Sequence, residues 1–158
     1  MDKVIYLAGV ISENHESHKW RRTIYRKLSD QFIIDDPCRS LLDREGLKKM
    51  DDEDEHSEQT WIDYIRSRPS GILLPKSYQA VNKADIIIIN LRIYQEGHAG
   101  HIMELAWAYG LHKTVIAIGD ESCVYGKHPM VNASVHAWVK NEEEAVALVK
   151  EYFYVSKK

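Results

Sequence analysis

Two hydrophobic periods alternate along this chain: short unbroken apolar runs, and longer stretches with apolar positions at helical spacing. The segment from Ala84 to Gly119, ADIIIINLRIYQEGHAGHIMELAWAYGLHKTVIAIG, shows both. Asp85 to Leu91 has almost no polar position to alternate with, which predicts a strand buried on both faces. A loop holding Gly97 and Gly100 follows, then a helix from about Ala99 to Leu111 and a second buried strand from Thr114 to Ile118. Strand, helix and strand of these lengths make a βαβ unit with parallel strands. In open α/β sheets ligands lie beyond the carboxyl ends of the strands, where loops pass into helix N-termini. Glu104 falls in the first turns of such a helix.

The same reading extends to both sides. Val4 to Ala8 is a buried strand ended by Gly9, and after a polar loop a helix runs from about Ser17 to Ser29. Trp20, Ile24, Tyr25 and Leu28 would form its inner face. Gln31 to Asp35 is a short strand, and Asp36-Pro37 forces the chain out of the sheet. Thr60 to Arg66 reads as a short helix stopped by Pro69-Ser70-Gly71, and Pro75 opens another through Ala84 with Tyr78 and Val81 inward. Asp120 to Pro129 is a loop over the same sheet edge. Val135 to Val139 is a last strand, and Glu142 to Tyr154 a terminal helix with Ala145, Leu148, Val149 and Tyr152 inward. Strands alternating with helices predict one doubly wound α/β domain over residues 1–158: a flavodoxin-like, five-stranded parallel sheet with helices on both faces.

Composition narrows the class. The 158 residues suffice for a real core, and 44% hydrophobic with 28% charged residues is globular usage. A formal net charge of −3 gives no general attraction to nucleic acid or to an acidic membrane. Cys38 and Cys123 stand alone, which speaks against a disulfide scaffold or a zinc knuckle. No apolar run approaches ~18 residues and MDKVIYLAG leads straight into a strand, so neither a membrane span nor a signal peptide is expected. A cytoplasmic enzyme or binding domain without a cofactor is the expectation.

Several chemistries are excluded. The Gly9 loop carries neither GxGxxG nor GxxxxGK[ST], so it is neither a dinucleotide fingerprint nor a P-loop. No GxSxG elbow occurs, and neither cysteine has an activating partner in sequence. The acidic run Asp51 to His56 lacks the central Gly and closing Glu of a calcium loop. The residues by themselves stop at a flavodoxin-like domain with a glutamate at its ligand edge.

Tyr6-Leu7-Ala8-Gly9, Trp20-Arg21, Asp36-Pro37, KADIIIINL from Lys83 to Leu91, and Gly100-x-x-x-Glu104 followed by LAWAYGLHKTVIAI occur in that order. This succession, from Lys3 to about Phe153, resembles the nucleoside 2-deoxyribosyltransferase family, which includes the deoxynucleoside 5′-monophosphate N-glycosidases. Residues 38 to 74 match least. The resemblance implies that Glu104 is the nucleophile, attacking the anomeric carbon and forming a covalent sugar ester, and that Tyr6 hydrogen-bonds and aims it. A second base (transfer) or water (hydrolysis) would then release the sugar, as in a retaining glycosidase. The simpler structural alternatives are a strand tyrosine with a buried ring and a solvated helix glutamate.

The resemblance also implies substrate-binding roles for Gly9, Ile11, Asp36, Ser77, His98, Gly100, His101, His128 and Met130. Some of these depart from the family's pattern. Ser77 stands where an aspartate that contacts the base or handles its proton is usual, and a hydroxyl is no acid near neutral pH. His98 stands where transferases hold the sugar with an acidic residue and the monophosphate glycosidases contact phosphate with a serine. His101 replaces a Thr or Ser, and His128, followed by Met130, stands where a neighbouring subunit offers Asn or Ser. Three readings of the histidines stay open: replacement acid/base groups, since imidazole titrates near neutrality, a 5′-phosphate site, or a metal site at the three-residue spacing of His98, His101 and Glu104. The last drifts around a helix, unlike HExxH, so no metal is assigned. Water-facing histidines are the plain alternative, as for His15 and His18. Asp36 is either a contact to the base or a turn cap. Trp20 reads as core and Asp85 as a strand-start residue.

The expected partners are a small nucleoside or nucleotide and a free nucleobase, with no nucleic acid and no membrane. The family's subunit-completed site implies a homodimer or higher homo-oligomer. The rival from another class is a non-catalytic nucleotide-binding or sensor module, supported by the missing aspartate at Ser77.

Overall fold

The computed structural model describes residues 3–10, 16–37, 70–92, 99–120, 122 and 124–153; of residues 16–18 and 70 it describes the backbone alone. In chain order the elements are β1 (Val4–Gly9), α1 (Glu16–Leu28), β2 (Ile33–Asp35), α2 (Ser70–Lys83), β3 (Ile86–Asn90), α3 (Ala99–Gly110), β4 (Thr114–Ile118), α4 (Pro129–Ala133), β5 (Ala137–Val139) and α5 (Glu142–Phe153). The strands form one sheet in the order β2-β1-β3-β4-β5, and every pairing is parallel. This is the flavodoxin-like order expected of the pattern.

The apolar runs explain the layers. Along β1, Ile5 and Leu7 join a core shared with Trp20, Ile24 and Leu28 of α1 and Ala145, Val146 and Val149 of α5. Tyr6 and Ala8 point to the opposite face and pack with Val81 of α2 and Leu105 and Ala108 of α3. The isoleucines of β3 divide the same way, Ile86 and Ile88 to the first core, Ile87 and Ile89 to the second. A strand apolar at every position can lie only between two helical layers. Burying each such side chain contributes about 1.5–3 kcal/mol.

Several boundaries differ from the sequence reading. α2 begins at Ser70 and carries Pro75 inside it, so Ser70-Gly71 starts a helix. Serine near a proline punctuates a helix start as well as a stop. Tyr78 of α2 is exposed rather than inward, meeting the edge of Trp107 on α3 with centroids 5.5 Å apart. Tyr152 is also exposed; Phe153 packs against the first core instead, with the Lys3 ammonium 5.7 Å above its ring. The stretch after Asp120 holds a short helix, α4, started by Pro129 and anchored by buried Val131. The expected helix at Thr60 to Arg66, the acidic run and both cysteines lie outside the described residues. Among the described residues no helix is long and apolar enough to cross a membrane.

Candidate active site

From β1 the chain winds to β2 on one side and to β3, β4 and β5 on the other, so the carboxyl ends of β1 and β3 flank the switch point where such sheets bind ligands. Gly9 and Asn90 face each other there. Gly9 has φ +157°, and a Cβ on it would stand 3.0 Å from the Trp20 ring and 3.3 Å from Asn90 Cβ. Close packing of three elements requires glycine at this position.

β2 ends before β1 does, pairing only as far as Tyr6 with Asp35. The carbonyls of Leu7 and Gly9 therefore project past the end of β2 with no strand to donate to them, and buried carbonyls need donors. Arg21 of α1 supplies them: Nη1 donates to Leu7 O at 2.6 Å and Nη2 to Gly9 O at 2.9 Å. Nη1 also lies 3.5 Å from Asp36 Oδ1. The guanidinium is 4.7 Å from the centre of the Trp20 ring. Arg21 is 1% exposed and Asp36 7%, so this is a buried ion pair. Breaking such a pair by removing one partner typically costs about 3–5 kcal/mol.

On the opposite face of β1, the Tyr6 hydroxyl donates to Glu104 Oε1 at 2.6 Å. The strand period aims Tyr6 at α3, and Glu104 meets it from that helix's second turn. Ser77 of α2 stands beside the same two groups, and its hydroxyl favours the ionised form of each. Burial pushes the Glu104 carboxyl above its ordinary range, opposed by the Tyr6 hydrogen bond, the charge of Arg21 and the nearby Ser77 hydroxyl. Burial likewise raises the Tyr6 hydroxyl, helped by the negative charge and hydrogen bond of Glu104, so the tyrosine stays a proton donor.

The other site residues fall in three groups. His101, one turn before Glu104 on α3, is 4% exposed and packs edge-on against Tyr125, centroids 5.8 Å apart, so it does not face water. Gly100 is exposed at the start of α3 with open space around its Cα. His128 and Met130 are exposed at the start of α4, where the resemblance has them serving a neighbouring subunit. Ile11 and His98 lie outside the described residues. Among the described residues no three His, Cys, Asp or Glu side chains converge on a metal-sized site. Asp85 is structural: its carboxylate accepts from the Val4 N–H at 2.8 Å, locking β1 to the start of β3.

Arg21 is the residue that pattern reading left in a motif without a role. A signal existed: Arg21, Ile24 and Leu28 stand at i, i+3 and i+7, placing a charge in an apolar stripe.

No family model and no curated protein sequence matches the chain. Among the solved structures that share its fold are two enzymes. One is a CMP N-glycosidase, BcmB, from Clostridium botulinum, with TM-score 0.55 and 13% identity over 95% of this chain and 100% of that one. The other is a 2-deoxyribosyltransferase from Leishmania mexicana, with TM-score 0.63 and 15% identity over 96% of this chain and 99% of that one. The fold is thus shared, end to end, with a transferase and a glycosidase of the kind the sequence motifs resemble.

Proposed function

We propose that this protein cleaves the N-glycosidic bond of a nucleoside or nucleotide, as a nucleoside 2-deoxyribosyltransferase-like enzyme with Glu104 as nucleophile. The observation that carries this reading is the 2.6 Å hydrogen bond from Tyr6 to Glu104, part-buried beside the sheet's switch point. The shared fold with a CMP N-glycosidase and a 2-deoxyribosyltransferase supports it.

In the first step a Glu104 oxygen bonds to the anomeric carbon while the carbon–nitrogen bond breaks, its electron pair leaving with the base. The base takes a proton as it leaves, and His101, the buried imidazole one turn from Glu104, is the described group suited to supply it. Tyr6 holds the carboxylate in line. In the second step a second base, or water, attacks the anomeric carbon from the opposite face, gives its proton to the now neutral His101 and releases the Glu104 carboxylate, so configuration is retained. The family resemblance assigns substrate contacts to Gly9, Ile11, Asp36, Ser77, His98, Gly100 and His101, with His128 and Met130 added by a neighbouring subunit. The reading takes the chain as one domain and a homo-oligomer that uses no cofactor.

Hydrolysis rather than transfer is the second reading, and Ser77 favours it. With a hydroxyl where a carboxylate is usual, the site has one group fewer to orient an incoming base. The test is incubation with a panel of deoxynucleosides and their 5′-monophosphates, with and without free adenine, followed by mass spectrometry of small molecules and intact protein. Base exchange and a sugar adduct on Glu104 are expected. Free base without exchange makes the protein a hydrolase, and the preferred substrate decides the 5′-phosphate. No base release from any substrate overturns catalysis in favour of a nucleotide-binding module.

A further inference from the structure

Among the described residues, the buried face of α1 contains one cation, Arg21. Two carbonyls, Leu7 and Gly9, need only two neutral N–H donors, which a glutamine offers as well as an arginine. The charge itself requires anions, because a buried cation is tolerated only when paired. One is Asp36, 3.5 Å from Nη1. A second carboxylate, Glu104, lies on the far face of β1: the strand that presents the Leu7 carbonyl to Arg21 presents the preceding Tyr6 hydroxyl to Glu104.

We propose that Arg21 is a positioning residue for the Tyr6–Glu104 pair, its buried guanidinium serving as the fixed counter-charge of Glu104 while its fork braces the strand that carries Tyr6. The charge of Arg21 favours ionisation of both groups, against their burial. The polar, titratable and charged groups around Glu104 are Tyr6 from β1, Ser77 from α2 with Lys76 adjoining it, His101 one turn earlier on α3 and, from the far face of β1, Arg21 with Asp36 beside it. Asp36 thus holds the guanidinium in contact, while Glu104, hydrogen-bonded by Tyr6, meets its charge from across the strand. Two fixed hydrogen bonds to β1 keep the cation in place when Glu104 gives its charge to the ester.

The catalytic half of this inference rests on the glycosidic reading; the electrostatic half does not. The experiment is a carbon-13 titration of the Glu104 side-chain carboxyl, assigned by its absence in Glu104→Gln, in the wild type, Arg21→Lys and Arg21→Met. The methionine variant should titrate at higher pH than the wild type. The lysine variant should stay near it, because it loses the fork but keeps the charge. The acid limb of kcat/KM should move with the carboxyl in both. A methionine variant that titrates like the wild type, or a lysine variant that moves with it, overturns the proposal. If the wild type releases no base, the glycosidic reading falls while the titration still decides the role of Arg21. Should circular dichroism show the methionine variant unfolded, Asp36→Asn takes its place: removing the other anion should lower the Glu104 titration, and an unchanged or raised value overturns the proposal.

Discussion

Removing the hydroxyl of Tyr6 isolates one hydrogen bond from everything else the ring does. Tyr6→Phe keeps the buried ring in the second core and deletes only the donor 2.6 Å from Glu104. A hydrogen bond to a charged group is worth about 1.5–3 kcal/mol, so kcat should fall roughly 10- to 100-fold with the fold intact. Glu104→Gln should abolish turnover, and its stability should move the other way. Burial raises the folded pKa of Glu104 above its unfolded value, so the folded protein binds that proton more tightly. The group's contribution to stability is therefore full below the unfolded pKa and lost as pH rises through the folded one. A neutral glutamine escapes this loss. Thermal unfolding of Glu104→Gln should show a higher Tm than the wild type at neutral pH, with the gap closing in acid; a lower Tm at neutral pH would count against the buried-carboxylate account. The pairing itself was legible only through the resemblance to a known family. Tyr6 and Glu104 are 98 positions apart, and no local period joins a strand tyrosine to a helix glutamate across that distance.

At the scale of elements, continuity of apolar runs decided what sequence reading could find. β4 occupies Thr114–Ile118 as expected, and β3 falls within the expected run, because strands buried on both faces have no polar position to blur their ends. Helix ends were harder: Pro69-Ser70-Gly71 punctuates without saying which side is helical, and α2 takes the side read as a turn. Arg21 was harder still, since its charge makes an inner-face residue look outward. The clamp it forms depends on Gly9, where β1, α1 and β3 come closest. Gly9→Ala would press a methyl into the Trp20 ring and Asn90 at a φ of +157° that side chains rarely adopt. Overpacking of this kind costs about 1–3 kcal/mol. Chemical denaturation should show that loss, with activity falling further than stability because the same shift displaces the strand carrying Tyr6. An unchanged midpoint would mean that α1 can move away from β1 without cost.

Among the described residues, α2 and α3 together expose an apolar surface where a globular chain would usually be polar. Leu74 and Tyr78 of α2 and Met103 of α3 are exposed, and Tyr78 meets the half-buried Trp107 edge-on between the two helices. Leu74 and Tyr78 are four apart on α2, Met103 and Trp107 four apart on α3, so each helix adds one pair to a shared strip. The two helices also bring Ser77 and Glu104 to the site, so a second copy seated on the strip would lie beside the reacting groups. Contiguous exposed apolar side chains of this kind mark association surfaces. Light scattering should give a mass that is a multiple of the 18.3 kDa chain. Leu74→Glu places a charge on the strip without touching Tyr6, Glu104 or the β1 clamp, and should shift the mass to that of one chain. If neighbouring subunits complete the site through His128 and Met130, base release should fall in proportion to dissociation and recover at higher protein concentration. A dissociated variant with full activity would instead show that each chain holds a complete site of its own.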